Sequence, residues 1–217
     1  EKKLGITREA LKICFKYGNP AAVITKNALI QRDIDIFKEM AEQKLISISI
    51  SVTSLDRELA RKMEPRTSSP EMRLKTDEIL ANNNIPVGVN LAPIVPGLND
   101  KEIPEILKAA SERGATHAGY IVLRLPYAVK DLFVEWLERE YPLKANKIIS
   151  SIKSIREGKL NSSEWGVRFK GKGELAETIS NLFKISCSKY GLNKREYNLT
   201  TKLFKVPSDD KQLKLFA

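Results

Sequence analysis

With 217 residues and a net charge of +10, the chain is long enough for one well-filled core, or for one domain with an extension. It contains no apolar run of transmembrane length and no secretory signal pattern, so a soluble, cytoplasmic protein with no membrane partner is expected. Of its 37 Lys/Arg and 27 Asp/Glu, residues 144–217 hold 16 and 7, leaving 21 and 20 for residues 1–143. The basic excess thus belongs to the C-terminal third, which suits a polyanion partner or, more simply, a solvated lysine-rich surface.

Helix and strand patterns alternate along the chain. Thr7 stands where a cap is expected for a helix reaching Tyr17, with Gly18 as its stop and Leu11, Cys14 and Phe15 on its apolar face. AAVIT at 21–25 reads as a short buried strand ending at Lys26. A helix from Asp33 to Gln43 follows, then LISISISV, which puts Ile46, Ile48, Ile50 and Val52 on one face and serines on the other. Serines on the second face suit a strand lining a polar barrel interior.

A long connection holds a short helix at 55–63 and the segment EPRTSSP. Ser69-Pro70 is then a strong start for a helix over 70–83. The stretch that organises the chain is IPVGVNLAPIVPGLND, 85–100: a buried strand that breaks into a rigid Pro- and Gly-containing loop. Asn99 or Asp100 is placed to cap the helix that runs to Gly114. HAGYIVLR at 117–124 is a further strand, followed by a helix over 128–141. From Leu143 the chain turns basic: an amphipathic helix, an aromatic and basic loop, SSEWGVRFKGKG, and a last helix closing on Gly191.

Four strands separated by helices predict right-handed βαβ units and a parallel sheet in sequential order, with the strand at 21–26 at an unpaired edge. Its C-terminal ends, Lys26, Ser51 with Thr53, the Ala92–Gly97 loop and Arg124, would converge on one mouth, where such folds bind ligands. Cys14 and Cys187 read as ordinary core residues, and the single histidine, His117, as structural. No metal-ligand spacing, P-loop or GxGxxG after a strand is present.

VITK at 23–26, ISVTS at 50–54, MEPRTSSPEMRL at 63–74, GVNLAPIVPGLND at 88–100 and SEWGVRFKGKGELAE at 163–177 resemble the radical S-adenosylmethionine (SAM) superfamily, in its DNA repair photolyase-like branch. The resemblance implies a partial parallel (β/α) barrel of TIM type, strands three to six of a six-stranded barrel, with a C-terminal helical extension. It divides the chain into that partial barrel over 1–142, a basic helical extension over 143–191, and a polar tail over 192–217.

It also implies SAM contacts at Lys26 and Ser51, at Arg73 for the carboxylate, and at Ala92, Pro93 and Ile94 for the adenine. The implied activity is reductive cleavage of SAM to a 5′-deoxyadenosyl radical acting on nucleic acid, DNA above all. The family's CxxxCxxC, which holds a [4Fe–4S] cluster, is absent from this sequence, so cluster ligands are expected outside this chain and the chain by itself is expected to be inactive. A non-radical barrel enzyme and a non-catalytic nucleic-acid module are the competing readings.

Two surfaces complete the expectations. Trp165, Arg168, Phe169, Lys170 and Lys172 combine cations with aromatic rings, as nucleic-acid contacts do, although a lid packed on the barrel would look the same. At the C-terminus, Gln212, Leu213, Leu215 and Phe216 of QLKLF resemble the pentapeptide by which bacterial repair proteins bind the sliding clamp.

Overall fold

A computed structural model describes residues 1–194 and 198–207. Four parallel strands, β1 (Ala21–Thr25), β2 (Ile46–Ser51), β3 (Val87–Ile94) and β4 (His117–Val122), form one sheet in sequential order. The helices are α1 (Ile6–Lys16), α2 (Ile34–Glu42), α3 (Arg57–Met63), α4 (Pro70–Asn82), α5 (Ile103–Ser111), α6 (Val129–Glu140), α7 (Ala145–Ser154) and α8 (Glu174–Lys189). The expected α/β architecture, strand order and direction are therefore present.

The strand alternation divides the sheet into two unlike faces. Val23, Ile46, Ile48, Ile50, Val87, Val89, Leu91 and Val122 pack in the hydrophobic core against the helices. The opposite face carries Ser47, Ser49, Ser51, Gly88, Asn90, His117 and Gly119, none of which belongs to a core cluster. A parallel strand buried on both faces would be apolar throughout, so the serines mark the concave side. His117 spans that side, with Nε2 3.4 Å from Ser49 Oγ and 3.5 Å from Ser47 Oγ, and burial pushes its pKa down. Its ring lies across Gly88. A Cβ on Gly88 would come within 2.3 Å of His117 Cδ2 and 2.4 Å of its carbonyl oxygen. Because a carbonyl in a strand cannot swing away, Gly88→Ala is expected to destabilise the fold by about 1–3 kcal/mol in urea unfolding.

Local chemistry departs from expectation at two helix starts and agrees with it at two others. Thr7 does not cap α1. Its N–H and hydroxyl both donate to Glu1 Oε2, at 3.1 and 3.0 Å, and the helix starts after Gly5 at φ 61. The second helix runs as expected, Ile34–Glu42 between the caps Asp33 and Gln43, with a 3-10 turn over residues 28–33 leading into it. Neither Asn99 nor Asp100 caps α5. Asn99 Oδ1 accepts from Val95 N at 2.6 Å, while its Nδ2 donates to Thr53 O and Pro93 O at 2.7 and 3.0 Å. This asparagine ties the loop after β3 to the loop after β2. Ser69 caps α4 as expected, its Oγ accepting from Met72 N at 3.3 Å.

The C-terminal helices are part of the same body. Ile179, Phe183 and Cys187 of α8 share a core cluster with Ile103, Ile106 and Leu107 of α5, while Ile148 and Ile152 of α7 pack with Val95, Leu123 and Leu125. Cys187 is buried and Cys14 half-buried beside the core, in keeping with packing roles. The stretch expected to be a polar tail from 192 starts inside the fold: Leu192 is 3% exposed, because it packs with Cys187 and the α5 side chains. Asn193 then lies along the outer edge of β4. Its Oδ1 accepts from Ala118 N and its Nδ2 donates to Ala118 O, at 2.9 and 3.1 Å, as a neighbouring strand would. Further along the same edge, Val122 N donates to Phe169 O at 2.8 Å. Farther on, Thr200 N donates to Lys44 O and Lys205 N to Tyr17 O, docking that segment on the fold.

Candidate active site at the strand ends

The strand ends meet at one carboxylate. Glu64, just after α3, accepts from Lys26 Nζ at the end of β1, from Arg73 Nη2 on α4 at 2.7 Å, and lies 3.0 Å from Thr53 Oγ1 after β2. Thr53 Oγ1 is also 3.0 Å from Ala92 O, so its one proton serves either the carboxylate or the β3 carbonyl. Burial pushes the Glu64 pKa up, but the hydrogen bonds and charges of Lys26 and Arg73 outweigh it and hold the carboxyl below its ordinary range.

The expected site residues take different parts. Lys26 is about a third exposed and is the member of the ion-pair cluster that reaches open space. Ser51 is 2% exposed; its carbonyl accepts from Arg73 Nη1 at 3.0 Å, while its hydroxyl has no partner among the described residues. Ala92 and Pro93, joined by a cis peptide, remain partly exposed.

Two roles differ from expectation. Arg73 is 1% exposed and gives hydrogen bonds to Ser68 O, Ser51 O, Glu64 and Thr67, so its fork is occupied by the protein. In this arrangement it orients Glu64 rather than presenting a free fork to a ligand carboxylate. Ile94 is 2% exposed and turned into the helix-side core, because the register shift between Leu91 and Ile94 breaks the strand alternation and sends it there, and its carbonyl accepts from Leu123 N at 2.8 Å. Apolar contact from this loop is left to Ala92 and Pro93.

Glu64 itself was not among the expected residues. It lies in a loop-like EPRTSSP segment with no periodicity to single it out, and only the three-dimensional convergence shows its place.

Residues 3–110, about half of the chain, match the family model of the radical SAM superfamily. The chain belongs to that superfamily. This radical SAM chain is 30% identical over 127 residues to an uncharacterized protein of Mycobacterium tuberculosis, covering 58% of this chain and 37% of that one. It is also 30% identical over 102 residues to an uncharacterized protein of Methanocaldococcus jannaschii, covering 47% and 38%.

In fold it is similar to a spore photoproduct lyase mutant, with a TM-score of 0.59, 17% identity, and coverage of 87% of this chain and 54% of the lyase. The same lyase complexed with dinucleoside spore photoproduct matches with a TM-score of 0.58 and 16% identity. The chain thus spans under two fifths of the curated relatives' length and about half of the lyase's.

Radical SAM proteins imply a [4Fe–4S] cluster together with SAM. Among the described residues no group of three or more His, Cys, Asp or Glu side chains could hold a metal, and Cys14 and Cys187 lie on separate helices, α1 and α8. Cluster ligation does not fit these residues. The strand-end set does fit the organic cofactor: its ion-pair cluster of two cations and one anion is net positive, and it offers an unpartnered hydroxyl.

The second expected surface lies beyond β4. Trp165 is 81% exposed and stacked by Arg168, whose Cζ is 4.4 Å from the indole centroid and 4.7 Å from that of Phe169. Lys170 is exposed. Lys172 is not a free cation: its Nζ sits 3.0 Å from Glu164 and 3.1 Å from Glu157, and these hydrogen bonds, Glu164 first, raise its pKa. Gln212, Leu213, Leu215 and Phe216 lie outside the described residues, as does the clamp-binding reading placed on them.

No helix among the described residues is long and apolar enough to cross a membrane.

Proposed function

We propose that the whole protein is a radical SAM enzyme acting on nucleic acid, and that this chain supplies the strand-end half of its SAM site. The observation that carries this reading is the convergence of Lys26, Ser51, Thr53 and Ala92 around Glu64 at one edge of a radical SAM sheet. When bound with its cluster, SAM supplies hydrogen-abstracting radical chemistry. Lys26 holds the ligand carboxylate, since it is the cation of the cluster with an open side. Ser51 donates to or accepts from a ribose or amino-acid group through its unpartnered hydroxyl. Ala92 and Pro93 give the adenine a flat apolar wall. Arg73 and Glu64 keep Lys26 in place.

A nucleic-acid substrate is favoured by the basic C-terminal third and the exposed Trp165 stack. The solved fold relative complexed with a dinucleoside photoproduct is consistent with such a substrate. Calorimetry of SAM binding to the full-length, cluster-loaded protein tests the site. Ser51→Ala and Lys26→Ala are each expected to weaken binding by about 0.5–1.5 kcal/mol, the net worth of one hydrogen bond. Unchanged affinity in both variants sinks the assignment.

A further inference from the structure

Three arginines gather beyond β4 without a counter-charge among the described residues. Arg124 follows the strand, and its Cζ lies 5.1 Å from the Phe169 centroid. Arg168 stacks between Phe169 and Trp165. Arg156, 2% exposed, donates from Nη2 to Leu123 O at 3.0 Å and from Nη1 to Val167 O at 2.9 Å. It therefore staples together the residues immediately preceding Arg124 and Arg168, fixing both backbones with one guanidinium.

The Nε of each of the three arginines is buried with no acceptor, and among the described residues none of the three has a carboxylate within ion-pair distance. The nearby acids in sequence, Glu157 and Glu164, are both taken by Lys172. Arg124 and Arg168 donate no side-chain hydrogen bond among the described residues, although both are only partly exposed. Uncompensated cations held this close repel one another, and desolvation adds to the cost. Burial first and the Arg124 charge second push the Arg156 pKa down. An arrangement of this kind lacks an anion.

We propose that Arg124 and Arg168 form a phosphate-binding fork for a nucleic-acid strand, positioned by Arg156, with Trp165 as the platform for an adjacent base. Planar guanidinium groups match phosphate oxygens in pairs, which suits a phosphate better than a lone carboxylate. An indole with one face on Arg168 and 81% of its surface exposed leaves the other face for a base. Leu123 N donates to Ile94 O, so the fork adjoins the loop after β3 and a bound strand would run beside the strand-end site. The inference rests on the nucleic-acid reading above and names where that substrate is held.

The test uses the full-length protein and three probes: a labelled single-stranded oligonucleotide followed by anisotropy, and inorganic phosphate and a mononucleotide followed by tryptophan fluorescence. Arg124→Gln and Arg168→Gln are each expected to weaken oligonucleotide binding about tenfold and to lower the slope of log affinity against log salt by about 0.7. Trp165→Phe, at an exposed position and keeping a ring for Arg168, should weaken binding without changing that slope. Oligonucleotide binding with an unchanged slope in both arginine variants overturns the fork while leaving the nucleic-acid reading standing. Binding of inorganic phosphate or the mononucleotide, but not of the oligonucleotide, overturns the strand as occupant and the nucleic-acid reading with it. No binding of any probe by the wild type overturns the fork itself.

Discussion

Glu64→Ala is expected to destabilise the protein by about 3–5 kcal/mol, the cost of leaving a buried cation without its partner. The cation is Arg73, 1% exposed, whose remaining acceptors are two backbone carbonyls and the Thr67 hydroxyl. Lys26 is partly solvated and adds little to the loss. Glu64→Gln, which keeps the shape and one acceptor, should lie between wild type and alanine. The same pair makes stability acid-sensitive. The Glu64 pKa is lower in the folded state than the ordinary 4.5, so its contribution is complete above that value and is lost as pH falls through the lower folded value. Equal urea midpoints for wild type and Glu64→Ala at neutral pH would refute the central role given to this carboxylate.

Asp77 points the other way. It is fully buried on α4, neither carboxyl oxygen has a hydrogen-bond partner among the described residues, and burial raises its pKa to about 8, with only the Arg113 charge opposing. The folded state therefore keeps a proton that the unfolded chain releases near 3.8. Stability falls as pH rises between those values, by about 1.4 kcal/mol per unit, a total on the order of 6 kcal/mol. Asp77→Asn mimics the protonated form at all pH values. Its unfolding free energy should match wild type near pH 4 and exceed it increasingly up to about pH 8. Parallel pH–stability curves for the two proteins would show that the buried carboxyl is not protonated in the fold.

Much of the architecture is legible in the sequence because period-two alternation is a direct record of two-sided strands. Ile46, Ile48 and Ile50 face the helices, and the intervening serines line the other side, as their spacing requires. The strand ends are legible for the same reason: Lys26 and Ser51 follow or close their strands, and topology alone brings them to one edge. What was not legible depends on competition between partners. Arg73 reads as a free fork until Glu64, Thr67 and two carbonyls occupy it. Lys172 reads as a phosphate contact until Glu157 and Glu164 claim it. Asn99 and Asp100 read as caps because of their position before α5, yet the broken loop after β3 offers them nearer backbone groups. Hydrogen-bond choice between equally plausible partners is a long-range decision that local spacing does not carry.

The two margins of the sheet are unequal. The Asn193 side chain and the Phe169 carbonyl seal the β4 margin, whereas β1 has only β2 beside it among the described residues. The sheet can therefore be extended in one direction, and a newcomer strand would lie next to the residues that lead into Lys26. Lys26 O accepts from Ser68 N, and Ser68 O in turn accepts from Arg73 Nε. The open margin and the Glu64 cluster are thus joined by a chain of two hydrogen bonds through Ser68, and the cluster is already assembled while that margin stands open.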